Sequence, residues 1–406
     1  KMYKFSVLLA LLTTTTIVKA KCSKEAATNE FSEATYEFAS NLMKRYSDVS
    51  ENHFVLSPLS LWAILSVISE GAAGRTLREL KRVLKHHKDK CISSHFYDIL
   101  RNTSVSQEDV VLERCGLLVI DQEFTVLPEY IKKIEEIGTY EVLKKLQSNV
   151  KLSAEIINNR ISEATKGFIN EAVTSNNIID KELIAIDTLY FNGKWKIPFN
   201  ESHTKLSPFY DDNGNDVGSV DQMCVTNMFK IAPIKGLGSV CVKLPYGNTN
   251  ISMLIFLPNN GAKLSGLVNN LKNVPIHSIL RQLNKNVPQR VKVMLPKFKV
   301  TTELDKLTEI LKNMGIVHMF SASASLSKLT DKLNVCVEDV IQKAAIEVNE
   351  IGTEASAVSA VSLESKMFPR QFNANKPFLF MIVDTKTKVI LFCGAYSDPT
   401  YRKFYG

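Results

Sequence analysis

Glycine and proline are sparse in this chain. The 17 Gly and 13 Pro make about 7% of 406 residues, well under the range of low-complexity sequences, which excludes collagen and wholesale disorder. The sequence has no tandem repeat, no Pro/Ser-rich linker and no long block of like charge. Length alone is a prior for two or three domains, but these absences favour one large mixed domain. There is no GxSxG elbow, no HExxH, no P-loop and no GxGxxG, so the common catalytic frameworks have no foothold. No Ser/His/Asp combination is marked by its context, and an enzyme reading starts with nothing in its favour. CxxC is absent too. The seven cysteines, Cys22, Cys91, Cys115, Cys224, Cys241, Cys336 and Cys393, leave one over even if the others pair. His86, His87 and Cys91 read as a basic, solvated loop and not as metal ligands; no metal site is expected.

What is present is ordinary globular composition, 45% hydrophobic and 23% charged. Lys and Arg number 50 against 42 acids, a formal charge of +8. Part of the excess sits at the amino terminus. Lys4 precedes the apolar run Phe5 to Leu12, and Val18-Lys19-Ala20 fits a small-x-small cleavage site before Lys21. Residues 1–20 have the form of a secretory signal peptide, and their apolar core is too short to span a bilayer. Without them, residues 21–406 carry 47 basic and 42 acidic side chains, a mild +5 that does not suggest a nucleic-acid binder. A secreted, extracellular chain is expected, and it makes the sequons at Asn102, Asn200 and Asn250 glycosylation candidates. Lys81, Arg82, Lys85, Lys88 and Lys90 form a basic run. A solvated helix end accounts for it; a sulfated polysaccharide (glycosaminoglycan) is the one cofactor it would suit, and none is required.

The first half of the chain reads as mainly helical. Ser57-Pro58 sets an N-cap beside a proline at the first helical position. Leu59 to Ile68 follows at helical spacing, Gly71 and Gly74 stop it, and Arg75 to Leu84 starts again. Leu127 to Leu146 and Ala154 to Val173 are also predicted helices. The second half reads as strands: Ile184 to Phe191, Val240 to Leu244 with Ile251 to Leu257, Val291 to Leu295, and Phe378 to Val383 with Val389 to Phe392. The fold class is α+β.

One segment does not read as ordinary structure. Gly352-Thr353-Glu354-Ala355-Ser356-Ala357-Val358-Ser359-Ala360-Val361 is small, nearly uncharged and partly β-branched. It cannot anchor a core, yet it lacks the composition of a linker. Thr353, Ala355, Ala357 and Ser359 would share one face of a strand. With Glu347 to Ala355 included, the segment resembles the hinge of the serpins, the serine protease inhibitors. Asn373-Ala374-Asn375-Lys376-Pro377-Phe378-Leu379-Phe380 resembles their carboxy-terminal signature. Leu56-Ser57-Pro58-Leu59-Ser60, Leu189 to Trp195, Leu244-Pro245-Tyr246-Gly247 and Leu295-Pro296-Lys297-Phe298 resemble further blocks in the family's order.

The resemblance implies one serpin domain over 21–406, with three β-sheets, eight to nine helices and an exposed reactive loop at about 350–372. It implies a monomeric inhibitor and not an enzyme. A target serine protease attacks the loop, forms a covalent 1:1 acyl-enzyme and is trapped when the cleaved loop inserts into the main sheet. Counting as in typical members, forward from the hinge residue Glu350 and back from Asn375, gives Lys366–Met367 as the attacked bond. Lys366 suits a trypsin-like protease, whereas a shift to Met367 or Phe368 would suit chymotrypsin- or elastase-like targets. A non-inhibitory carrier or binding protein is the remaining alternative, although Glu350, Gly352, Thr353, Glu354, Ala355, Ser356 and Ala357 form a small-residue hinge without proline. The resemblance places Ser57, Ser60, Asp187 and Gln342 in the shutter, where the sheet opens, and Trp195 at the breach. Here the sequence departs from the family: Asp187 and Gln342 replace a usual Asn and His, Val55 a common aromatic and Arg160 a usual Trp. An amide can still donate to a carboxylate across that position.

Overall fold

The computed structural model of the chain describes residues 23–50, 52–103, 108–138, 140–303, 306–351 and 368–402. Residues 1–20, expected to be a signal peptide, the expected hinge residues Gly352, Thr353, Glu354, Ala355, Ser356 and Ala357, and the expected attacked bond Lys366–Met367 lie outside them.

Helix α1 (Lys24–Ser47) begins where the Ser23 side chain accepts the Ala26 N–H at 3.1 Å. Ser57 caps α2 (Pro58–Gly71), whose residues are buried around the whole circumference, the mark of a core helix. Then come α3 (Gly74–Leu84), α4 (Lys90–Thr103), α5 (Pro128–Ile137), α6 (Val150–Ala164), α7 (Ser175–Ile178), α8 (Leu264–Asn270), α9 (Ile276–Lys285) and α10 (Leu307–Met314). Ten α-helices thus stand among the described residues against the eight to nine expected, and α7 is a single turn of four residues.

The strands are β1 (Phe54–Leu56), β2 (Val110–Asp121), β3 (Tyr140–Lys145), β4 (Leu183–Gly193), β5 (Lys205–Tyr210), β6 (Asp216–Ile234), β7 (Ser239–Pro245), β8 (Ile251–Pro258), β9 (Gln289–Pro296), β10 (Phe298–Glu303), β11 (Asp339–Val348), β12 (Arg370–Asn373), β13 (Phe378–Asp384), β14 (Val389–Tyr396) and β15 (Tyr401–Arg402). One sheet runs β10-β11-β4-β2-β3; the other runs β1-β14-β13-β8-β7-β6-β9-β12, with β5 and β15 also on β6. The 19-residue β6 serves two sections, pairing Lys230–Ile234 with β7 and Gln222–Phe229 with β9. Two of the three expected sheets are therefore joined through one strand.

Two helix expectations are corrected. Leu127 to Leu146 is not one helix: α5 ends at Gly138, whose φ of 75° leaves the helical region, and Tyr140–Lys145 becomes β3, parallel to β2. Ala154 to Val173 also stops early, at Ala164, because Lys166 and Gly167 both take positive φ. The predicted strands are found, each slightly longer than its apolar run.

Alternation along β4 divides the core. Leu183, Ala185, Leu189 and Phe191 face the main core with α2, while Ile184, Ile186 and Tyr190 face a smaller cluster with Ile157 and Ile161 of α6. The five-stranded sheet is thus covered on both faces, and Asp187 and Gln342 at its centre are fully buried.

Candidate functional site

At the centre of the five-stranded sheet, β11 lies parallel to β4 from Asp339 opposite Ile184 to Ile346 opposite Phe191. Parallel neighbours come from distant stretches of chain, as these do. On its other edge β11 is antiparallel to β10, and β4 is antiparallel to β2. Beyond β11 the chain passes through Glu350 into residues 352–367. A segment leaving the end of β11 and doubling back between β11 and β4 would run antiparallel to both. It would replace one parallel ladder with two antiparallel ones, the pairing that is slightly more stable per residue.

The upper end of this seam is pinned. Trp195, just past β4, donates from Nε1 to the Asn349 carbonyl at 2.9 Å and from its backbone N–H to the Ile351 carbonyl at 3.3 Å. Its ring stacks on Tyr246 at 4.4 Å and 13°. Glu350 is only 3% exposed. Its carboxylate accepts from Thr204 Oγ1 at 2.7 Å and meets Lys297 Nζ at 3.0 Å, and its carbonyl accepts the Phe199 N–H at 2.8 Å. Burial pushes the Glu350 carboxyl upward, but hydrogen bonds from Thr204 and Lys297 outweigh it and hold the group below its ordinary range.

Halfway down the seam sits a buried polar cluster. Gln342 of β11 faces Asp187 of β4 in register, and its Nε2 donates to Asp187 Oδ2 at 3.0 Å. The same amide bonds the Ser57 carbonyl at 3.0 Å and Ser60 Oγ at 3.2 Å, and its Oε1 accepts the Ser57 N–H at 3.2 Å. Ser60 Oγ donates to Asp187, and Ser57 Oγ donates to the Leu391 carbonyl at 2.9 Å. One amide therefore ties β11 to both β4 and the start of α2.

Sequence reasoning missed the countercharge. Arg114 of β2 places Nε 3.4 Å from Asp187 Oδ1, with side chains 3% and 0% exposed. Its Nη2 donates to the Ser60 carbonyl at 2.9 Å and to the Tyr140 hydroxyl, and its guanidinium lies 4.8 Å from the Tyr140 ring centre. Burial pushes the Tyr140 hydroxyl far above its usual range. A signal did exist, since a carboxylate within Ile184-Ala185-Ile186-Asp187-Thr188-Leu189 requires a buried partner, and Arg114 is the cation in the apolar run of β2.

Other predicted residues are placed as follows. Asn102, Asn200 and Asn250 are all exposed. Lys81, Arg82, Lys85 and Lys88 are exposed as well, but Arg82 donates to the Gly315 carbonyl at 3.0 Å and Lys85 pairs with Glu37 at 3.0 Å. The adjoining hollow mixes Lys81, Lys88 and Lys133 with Glu70, Asp98 and Glu136, so its charge is not of one sign. Lys90 opens α4. His86 meets Ser66 Oγ at 2.9 Å beside the Trp62 ring, and burial and then Lys81 bring its pKa down to about 4. Among the described residues no group of three or more His, Cys, Asp or Glu is placed to hold a metal, and no helix is long and apolar enough to cross a membrane. Cys91 is disulfide-bonded, while Cys115, Cys224, Cys241, Cys336 and Cys393 carry free thiols. Burial raises the Cys115 thiol to about 12. Arg160 of α6 forms a 2.7 Å ion pair with Glu141 of β3. The described chain resumes at Phe368, which is 98% exposed, and enters β12.

Comparison with known proteins agrees with this architecture. Residues 33–399 match the family profile of the serpins (serine protease inhibitors). The chain is 32% identical to leukocyte elastase inhibitor of Xenopus laevis over 382 residues, 91% of this chain and 99% of the relative. It is 30% identical to ovalbumin-related protein Y of Gallus gallus, over 86% of this chain and 94% of that one. Among solved structures, uncleaved ovalbumin superposes with a TM-score of 0.80 at 23% identity, covering 91% of this chain and all of the other. With nearly its whole length matched, and the strand order that such a loop would enter, the chain belongs to the serpin family.

Proposed function

We propose that this chain is a secreted suicide-substrate inhibitor of trypsin-like serine proteases. The protease serine attacks the Lys366 carbonyl, the peptide bond to Met367 breaks, and the new Met367 amine leaves while the ester to Lys366 remains. The freed hinge then adds as a strand between β4 and β11 and carries the acyl-enzyme away from the geometry that hydrolyses it. The parallel seam, with Glu350 at its upper end, is the observation that carries this reading. The small residues from Thr353 to Ser359 support it, because bulk or charge facing the sheet would slow insertion. Secretion is supported by the apolar run at residues 5–12, the exposed sequons and the disulfide at Cys91, since disulfides persist in oxidising compartments. A sulfated polysaccharide, where one assists, would meet Lys81 and Lys88 first.

A second reading, inhibition of elastase- or chymotrypsin-like proteases through Met367 or Phe368, is favoured by the name of the Xenopus relative. One experiment separates the two. The purified protein is mixed with trypsin or chymotrypsin, boiled, reduced and run on SDS gels, and the carboxy-terminal fragment is sequenced. A band at the summed masses with trypsin and a fragment beginning at Met367 are expected, and Ala355→Pro is expected to lose the band. A chymotrypsin band with a later cut would move the bond. A clipped loop with no covalent band would contradict inhibition and favour the carrier reading.

A further inference from the structure

Between Asp221 and Glu303 lie 81 consecutive residues without one Asp or Glu, and they carry 11 Lys and Arg. These cations are spaced apart, so no basic run marks them in the sequence; the fold gathers them. Lys230 of β6 stands directly opposite Lys243 of β7. Lys230 Nζ donates to Asn284 Oδ1 of α9 at 2.8 Å, which brings the exposed Arg281 and Lys285, one helical turn apart, to the same region. Countercharge is missing there. Lys297 and Lys299 pair with Glu350 and Glu347, but among the described residues no ion pair takes up Lys230, Lys243, Arg281 or Lys285. Like charges directly opposite across antiparallel strands are destabilising. Burial and then Lys230 bring the Lys243 amine below its ordinary value, and an anionic partner would relieve both lysines.

Two large apolar side chains stand out among these cations. Val287, two residues beyond Lys285, is 76% exposed, and Met228, on the same face of β6 as Lys230, is 53% exposed. A soluble sulfated polymer calls for cations alone. Apolar tips set among cations suit a bilayer surface, where the tips enter at the headgroup boundary and the ammonium and guanidinium groups meet lipid phosphates and carboxylates. We propose that this face, formed by β6, β7 and the end of α9, docks the chain on an anionic phospholipid surface. The docking is independent of which bond a protease attacks.

The test is cosedimentation of the full chain with phosphatidylcholine vesicles, with and without phosphatidylserine, at physiological salt. Binding is expected only to the phosphatidylserine vesicles. The double variants Lys230→Gln/Lys243→Gln and Arg281→Gln/Lys285→Gln are each expected to weaken it by about tenfold or more, since one cation at such a surface contributes about fivefold. Val287→Ser is expected to weaken it by about threefold, from lost apolar contact. Lys81→Gln/Lys88→Gln removes the same net charge elsewhere and is expected to stay within about twofold of the parent. The thermal midpoint of Lys230→Gln/Lys243→Gln is expected to hold or rise, because opposed like charges are removed, so its loss of binding is not unfolding. Equal binding to both kinds of vesicle, or to neither, overturns the proposal. An equal loss in Lys81→Gln/Lys88→Gln overturns it as well, because net charge alone would then account for binding. Parent-like binding by Val287→Ser overturns the bilayer as partner and leaves a contact of charge alone, such as a soluble polyanion makes.

Discussion

Asp187 and Arg114 show what one altered position asks of its neighbours. A carboxylate at the centre of an apolar sheet is costly unless it is paired and fully hydrogen-bonded. Asp187 gains a guanidinium from β2, a hydroxyl from α2 and an amide from β11. Asp187→Asn keeps the shape and the hydrogen-bonding side chain but leaves Arg114 charged and buried without its counterion. It is expected to cost about 3–5 kcal/mol in urea unfolding. Adding Arg114→Met is expected to restore much of that loss, since the double replacement removes both charges. Additive losses in the double variant would contradict the pairing. Asp187 was legible from sequence as a departure, and so was its link to Gln342. Arg114 was not, because it stands 73 positions from its partner and only the antiparallel register of β2 with β4, Gly116 opposite Asp187, brings it within reach.

At the scale of elements, β11 is the piece whose two ends differ in duty. Its lower half is tied to β4 and α2 through Gln342, and its upper end hands the chain to the loop under the control of Trp195 and Glu350. Glu350→Ala removes a buried charge-assisted hydrogen bond worth about 1–3 kcal/mol, so its thermal midpoint at neutral pH is expected to fall by about 1–4 °C. The sign of the pH dependence follows from the depressed carboxyl. The stabilisation is present above the unfolded-state pKa and is lost as pH falls through the folded value. Parent and variant should therefore converge in acid, and a gap that widens there would contradict the assignment. Elements with strong local signals were readable: the capped apolar helix α2, the β7–β8 hairpin with its turn, and the continuous apolar pair β13–β14. Others depended on distant chain. Tyr140–Lys145 has charge enough for a helix surface but is drawn into strand β3 by β2, and the polar, irregularly buried β6 follows no one alternation because it serves two sheet sections.

For the whole molecule, the sheet order β10-β11-β4-β2-β3 is the feature from which the proposed mechanism follows. The strand that precedes the loop lies beside a parallel neighbour, and one more strand from that loop would be antiparallel to both. On the proposed mechanism the intact chain is a state with a better sheet within reach, held back by the uncut segment and by the ties at Gln342 and Glu350. Cutting an ordinary surface loop leaves stability unchanged or lowers it. The most direct measurement is the thermal midpoint of the chain before and after a single cut between residues 360 and 367, with the fragments kept together. Each kcal/mol moves the midpoint of a chain this size by only about 1 °C, and a whole added strand is expected to raise it by more than about 10 °C. A midpoint that stays put or falls would mean that no strand enters between β4 and β11.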